Sequence, residues 1–404
     1  MTSILGMVAI LLAAYLLSTN RKNIPLRTVS LALLIQISFA LLVLYIPTGQ
    51  QALYSISQVV SGVIDYGQEG VKFLFGDLAT GSAGFIFAIN VLGIIIFFSA
   101  LISALYHLGI MPRVIQFIGG GLSRLLGTGK AESLSATANI FVGMIEAPLV
   151  VKPYLGRMSD SQFFAVMTCG LASVAGGTLV AYASVGVDLN YLIAAAFMSA
   201  PAGLLMAKIL VPPSDDDVVT NPQEETEVNL PKANNIVEAI ADGALSGAKV
   251  AFAVGVTLLA FVGVIALLNG MLGHLGDLVG VALSFEIILG YVFAPVAWLI
   301  GIPWEEAVIA GSLIGNKIVV NEFVAFIQLM SVQDQLSAHS QAIITFALCG
   351  FANISSMAML IGGLGSLIPE RKKFISTYGF RAIAAGVLAN LMSAAIVGVI
   401  LTLG

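Results

Sequence analysis

Eight long apolar runs limit what this chain can fold into more than any other feature. They lie at 4–17, 29–46, 83–105, 163–181, 192–211, 250–268, 343–361 and 382–403. Crossing about 30 Å of hydrocarbon takes roughly 20 mainly apolar residues in a helix, and with neutral flanks these runs suffice. A membrane β-strand would read as roughly 10 residues of alternating polarity, and these runs do not alternate. Composition removes the soluble alternative, since the chain is 58% hydrophobic and 10% charged, against about a quarter charged in soluble domains. The sequence therefore predicts an all-α polytopic membrane protein with about eight transmembrane helices. The start, MTSILGM, has no basic segment before the first run and no small-residue cleavage site after it. It reads as a retained helix rather than a signal peptide.

Lysine and arginine mark the cytoplasmic side. Arg21, Lys22 and Arg27 separate the first two runs, which puts the N-terminus outside. If 134–153 and 307–326 each enter and leave on one side, every basic residue except Lys72 and Lys317 falls inside, and the C-terminus lies outside. A full crossing by 134–153 would set Lys152 and Arg157 against Lys130. The pattern favours two re-entrant hairpins. The stretch 212–231, PPSDDDVVTNPQEETEVNLP, holds six acids and reads as a flexible linker between two halves. It supplies most of the net charge of −5, which gives no reason to expect nucleic acid. Beyond it, 236–249 spaces Ile236, Ile240 and Leu245 against Glu238, Asp242 and Lys249, the pattern of an amphipathic helix at the cytoplasmic interface.

Two pentapeptides match across the linker, Cys169-Gly-Leu-Ala-Ser173 and Cys349-Gly-Phe-Ala-Asn353. Each follows a hairpin segment carrying a glutamate, Glu146 or Glu322, and each is followed by a glycine-rich helix and one more span. The first unit starts inside and the second outside. That order predicts an inverted-topology repeat, the architecture of many secondary transporters, with the binding site where the repeats meet.

A carboxylate at membrane depth costs several kcal/mol, so each one needs a reason. Glu146 stands in FVGMIEAPLVVKPYL, where Pro148 breaks the helix and disfavours it for Ala147. Broken backbone beside an acid suits a substrate or ion site; the competing reading is a solvated helix end near Lys152. Glu322 follows Asn321, and Lys317 five residues earlier is a possible partner in a structural ion bridge. Asn353, Ser355 and Ser356 line one side of a core helix, where they serve either a site or helix–helix hydrogen bonding. Asn139 and Ser173 offer oxygen ligands for a hard monovalent cation. Enzyme signatures fail. GTGKAES lacks the glycine that a phosphate loop needs at position 124, and His107, His274 and His339 have no metal spacing. Cys169 and Cys349 lie in apolar segments and say little about redox compartment.

NIFVGMIEAPLVVKPYL, NEFVAF and CGFANISSMAMLIGGLGSL together resemble the concentrative nucleoside transporters, as do LLSTNRKNIPLRTV and IPWEEAVIAGSLIG. The resemblance implies a bacterial inner-membrane symporter in the lipid bilayer, a homotrimer with interfacial helices and an elevator-like transport domain. It implies scaffold helices and an interfacial helix in 1–110 and a first transport repeat in 111–211. The linker, interfacial helix and a scaffold span fill 212–300, and a second transport repeat fills 301–404. It gives the nucleoside site as Gly143, Met144, Ile145 and Glu146 at the base, Glu322, Asn353 and Ser356 at the ribose, and Thr178, Leu258 and Phe351 lining it. The coupling ion would be sodium, held at Asn139, Val142, Ser173 and Val174, with no other cofactor and no enzymatic activity. Proton coupling, or transport of another small polar solute, is the alternative.

One departure stands out. Where the family carries Gly-Gln-Thr-Glu or a close polar variant, this chain reads Gly143-Met144-Ile145-Glu146. Either base preference shifts, toward purine nucleosides, because two hydrogen-bonding groups are gone, or both side chains pack elsewhere and selectivity stays broad.

Overall fold

A polypeptide crossing hydrocarbon must satisfy its own backbone polar groups. Among the described residues of this computed structural model, 2–79, 86–214 and 233–403, every regular element is helical. All eight predicted runs are helical in whole or in part. The acidic residues from Asp215 to Glu227, together with Lys232, lie outside the described residues, as does the beginning of the third run.

The chain opens with α1 (Thr2–Leu16), α2 (Leu26–Leu44), α3 (Pro47–Phe75) and α4 (Phe87–His107). Next come α5 (Ile110–Leu126) and α6 (Lys130–Ala138), a tip, and a return through short pieces at Ala147–Val151 and Lys152–Leu155. Then follow α7 (Asp160–Ala172), a break, α8 (Gly176–Ser184) and α9 (Leu189–Leu210). After the long α10 (Ile236–Val279), the same order returns. It comprises α11 (Phe285–Leu299), α12 (Trp304–Val319) turning into α13 (Glu322–Val332), and α14 (Ala338–Leu348) broken from α15 (Ser356–Leu367), with α16 (Lys372–Leu401) last. Caps set the starts. Ser159, Asp188, Asn235, Ser284, Asn321 and Ser337 each accept a first-turn N–H, worth about 1 kcal/mol apiece.

Three features depart from the sequence expectation. The amphipathic segment 236–249 and the span 250–268 are one helix of 44 residues, about 66 Å long at 1.5 Å per residue. No proline interrupts it, and its N-terminal part is packed rather than lying apart. Gly243 and Gly247 sit against Ser99 and Ser103 of α4, a seam of small residues that brings the backbones close. Helix α11 was not among the expected spans; it is apolar, as long as α1, and bends 115° into α12. The runs 163–181 and 343–361, expected as continuous helices, are both broken, the first at Ser173 where its pentapeptide ends and the second from Cys349 where its pentapeptide begins.

Helices α7, α8, α9 and α16 form the interior, whereas α10 presents Phe252, Leu259, Leu267 and Leu278 outward. Lys208, near the end of α9, is buried in an ion pair with Glu132 at 2.7 Å. That pair ties α9 to α6. A buried ammonium needs such a partner, because an unpaired charge there is strongly destabilising.

Candidate functional site

The two helix breaks meet. The Ser173 carbonyl, just past α7, accepts the Phe351 N–H at 3.1 Å. Each break is also bonded to the segment that precedes its helix: Gly176 N–H donates to Phe141 O at 3.1 Å and Ile354 N–H to Ile318 O at 3.0 Å. These bonds satisfy backbone groups that unwinding releases, so each break is stabilised by its neighbour.

Around this junction the second unit builds a carboxylate site. Glu322 opens α13, where helix N–H groups and the dipole favour a negative charge, and it is only 6% exposed. Its Oε1 accepts from Tyr182 Oη at 3.1 Å and its Oε2 from Asn353 Nδ2 at 3.0 Å. Asn353 is itself fixed, since its Oδ1 accepts from Ser356 N at 2.9 Å, Ser356 Oγ at 2.9 Å and Ser355 Oγ at 2.6 Å. Ser356 Oγ also contacts the Phe351 carbonyl. Glu322, Asn353, Ser356 and Phe351 therefore form one hydrogen-bonded cluster. A carboxylate offers about four acceptor positions. Tyr182 and Asn353 take one each, which leaves room for two hydroxyl donors side by side.

Lys317 does not pair with Glu322. Fully buried, it donates to Asn390 Oδ1 at 2.7 Å, and the three ion pairs among the described residues do not include it.

The first hairpin tip is arranged differently. Glu146 is exposed, and its carboxylate lies over Gly143, where a Cβ would collide with it. It forms no ion pair with Lys152 or any other described residue. Met144 is buried and turns into the protein, where its Cβ lies 3.0 Å from the position a Cβ would take on Gly170. Ile145 packs over Gly363 of α15, whose added Cβ would stand 2.6 Å from Ile145 Cγ1. Thr178 is buried in the first turn of α8, and Leu258 is buried on α10. Neither hydrogen-bonds with the carboxylate cluster.

Among the residues expected to hold an ion, Asn139 is fully buried; its Nδ2 donates to Ser135 O at 2.9 Å, while its Oδ1 has no partner. A buried acceptor without a donor normally costs about 1–3 kcal/mol, and a hard cation relieves that cost. Val142 and Val174 lie outside helices and Ser173 is the cap of α7; the Gly176–Phe141 bond joins this unwound segment to the stretch that follows Asn139. The donor set is all oxygen and suits sodium.

Tyr182 is the member that sequence reasoning missed. A lone tyrosine in an apolar helix carries no spacing signal. Only the fold reveals that its ring packs against Phe323 and Phe326, centroids 5.0 and 4.5 Å away, while its hydroxyl reaches Glu322. Tyr182→Phe keeps the ring and removes the donor. We expect the KM for transported substrate to rise about 3–10-fold, from roughly 0.5–1.5 kcal/mol per hydrogen bond, with thermal stability little altered.

Two broken helices with a buried carboxylate at their junction are features that secondary-transporter sites share. Family models place it further. Residues 191–398 match "Na+ dependent nucleoside transporter C-terminus", 5–78 the corresponding N-terminus, and 88–188 "Nucleoside recognition". The chain belongs to this family, the concentrative nucleoside transporters, whose members are transporters and not enzymes. It is 51% identical to "Nucleoside permease NupC" of Helicobacter pylori, over 99% of this chain and 98% of that protein. Among solved structures, CNTnw in an inward-facing substrate-bound state matches with a TM-score of 0.93 and 50% identity, covering 100% of this chain and 98% of that one. A variant of CNTnw in an outward-facing state matches with a TM-score of 0.94 and 49% identity, again over 100% and 98%.

Proposed function

We propose that this protein is a sodium-coupled symporter that imports nucleosides across the bacterial cytoplasmic membrane. The observation that carries the reading is Glu322: a buried carboxylate, held by Tyr182 and Asn353, with acceptor capacity left for two neighbouring hydroxyls. A ribose 2′,3′-diol supplies such a pair, and charge-assisted hydrogen bonds are roughly twice as strong as neutral ones. Glu146, Gly143 and the tip around them face the base, while Phe351, Thr178 and Leu258 line the remainder. Sodium is held by Asn139 with oxygens of Val142, Ser173 and Val174; the unpartnered Asn139 Oδ1 supports that assignment, as does the family description.

The hairpins are re-entrant, the two units are inverted repeats, and both termini face outside. They move as an elevator against a scaffold of the early helices and α10. The outward apolar face of α10, with Leu259 80% and Leu278 82% exposed, supports assembly as a homotrimer in the bilayer. The burial of Met144 against Gly170 and the packing of Ile145 on Gly363 favour broad base selectivity over a purine shift.

Competition for uptake of one labelled nucleoside tests this reading. Uridine and adenosine should compete within about tenfold of each other, under ~1.4 kcal/mol, whereas 2′,3′-dideoxy analogues should lose at least about 30-fold, ~2 kcal/mol. Equal competition by the dideoxy compounds would remove the role given to Glu322.

A further inference from the structure

Helix α16 sends one polar side chain into the junction of the two units. Asn390 is 4% exposed, and its Nδ2 donates to Ala172 O at 2.7 Å and Cys349 O at 2.9 Å. Ala172 ends α7 and Cys349 caps α14, so a single amide satisfies the open C-terminal ends of both broken helices. Its orientation is chemically fixed. Lys317 Nζ donates to Oδ1 at 2.7 Å, and an ammonium has no acceptor, so the oxygen faces it and the N–H bonds face the carbonyls. Lys317 lies in the last turn of α12, five residues before Glu322. One turn along α16, Gly386 admits the same two segments: a Cβ there would stand 2.9 Å from Ala352 Cβ and 3.0 Å from Leu171 Cβ. Gly350 is needed as well, because its Cβ would run into the Asn390 amide.

We propose that Lys317 and Asn390 are positioning residues that couple ion occupancy at the first break to nucleoside binding at the second. The inference rests on the sodium-symport reading above. A cation between Asn139 and the Ser173–Val174 segment immobilises the end of α7. Asn390 is bonded to Ala172, the residue before Ser173, and is held with it. The same amide holds Cys349, from which Phe351, Asn353 and Glu322 follow through the hydrogen bonds already described. Coupling of this kind travels through a contiguous network, and here it passes through one amide whose direction Lys317 sets. Neither side chain touches substrate or ion.

The test is equilibrium nucleoside binding to the purified full chain, in sodium and in a sodium-free medium of N-methylglucamine. In the unmodified protein sodium should tighten binding by a factor in the range of roughly 5–150 typical of coupled sites. Asn390→Ala should cut that factor below about threefold, leaving sodium-free affinity nearly unchanged. Asn390→Ser, which can donate to one carbonyl but not two, and Lys317→Met, which frees the amide to turn, should do the same; they carry the test if the alanine variant folds poorly. Ser393→Ala removes a hydroxyl bonded only within α16, to Ala389 O, and should keep the full factor. A merely structural role would lower both affinities together and leave their ratio intact, and that result overturns the proposal. A ratio near one in the unmodified protein overturns the sodium reading first, and the inference with it.

Discussion

Glu322→Gln should reduce nucleoside uptake at least about 30-fold, a loss of ~2 kcal/mol or more, as when one partner of a buried charge-assisted contact is truncated. The substitution keeps the shape and removes both the charge and half of the acceptor capacity. A glutamine amide must set its oxygen toward Asn353 Nδ2, which can only donate, and its NH2 toward Tyr182 Oη. The positions left for two ribose hydroxyls then include a donor facing a donor. Because the neighbours on both sides stay paired, folding should survive, and thermal unfolding of the variant should match the unmodified protein within a few degrees. Glu146→Gln should cost less. That carboxylate is exposed and hydrogen-bonds no other described side chain, so its loss removes only the contact to the base proposed for it and leaves the junction undisturbed.

Asn139→Leu carries the second large effect. It deletes the unpartnered Oδ1 and fills the space with an isosteric apolar group. The sodium concentration that half-activates uptake should rise at least about tenfold, ~1.4 kcal/mol, or activation should vanish. Burial of Oδ1 without a donor is costly, so the same variant should be as thermally stable as the unmodified protein, or more so, in sodium-free medium. Greater stability with weaker ion response separates a ligand role from a packing role, for which removing the amide would destabilise.

Much of this was legible in the residues. The apolar runs gave helices because their length admits little else. The pairing of CGLAS with CGFAN, each after a hairpin with a glutamate, located the two elements that meet through Ser173 and Phe351. The breaks themselves were not legible. Glycine and small residues at 170–177 and 350–356 are equally at home in close-packed membrane helices, and unwinding depends on donors from elsewhere, namely Gly176 to Phe141 and Ile354 to Ile318. Tyr182 was hidden for a related reason, since its role exists only through a partner 140 residues away. The partner of Lys317 stayed open because proximity in sequence offered Glu322, while the C-terminal turn of α12 aims it at Asn390 on α16. Helix α10 hid its true length because the interfacial pattern at 236–249 ends without any helix-breaking residue. The departure at Met144 and Ile145 was visible, but their packing against Gly170 and Gly363 depends on side-chain direction, which carries no sequence signal.

The most direct measurement of the central claim is uptake of a labelled ribonucleoside into proteoliposomes carrying the purified full chain under imposed ion gradients. An inward sodium gradient at equal pH should drive accumulation above equilibrium, and that accumulation should disappear in Asn139→Leu and Glu322→Gln. Accumulation driven by a proton gradient alone, and unaffected by sodium, would contradict the account.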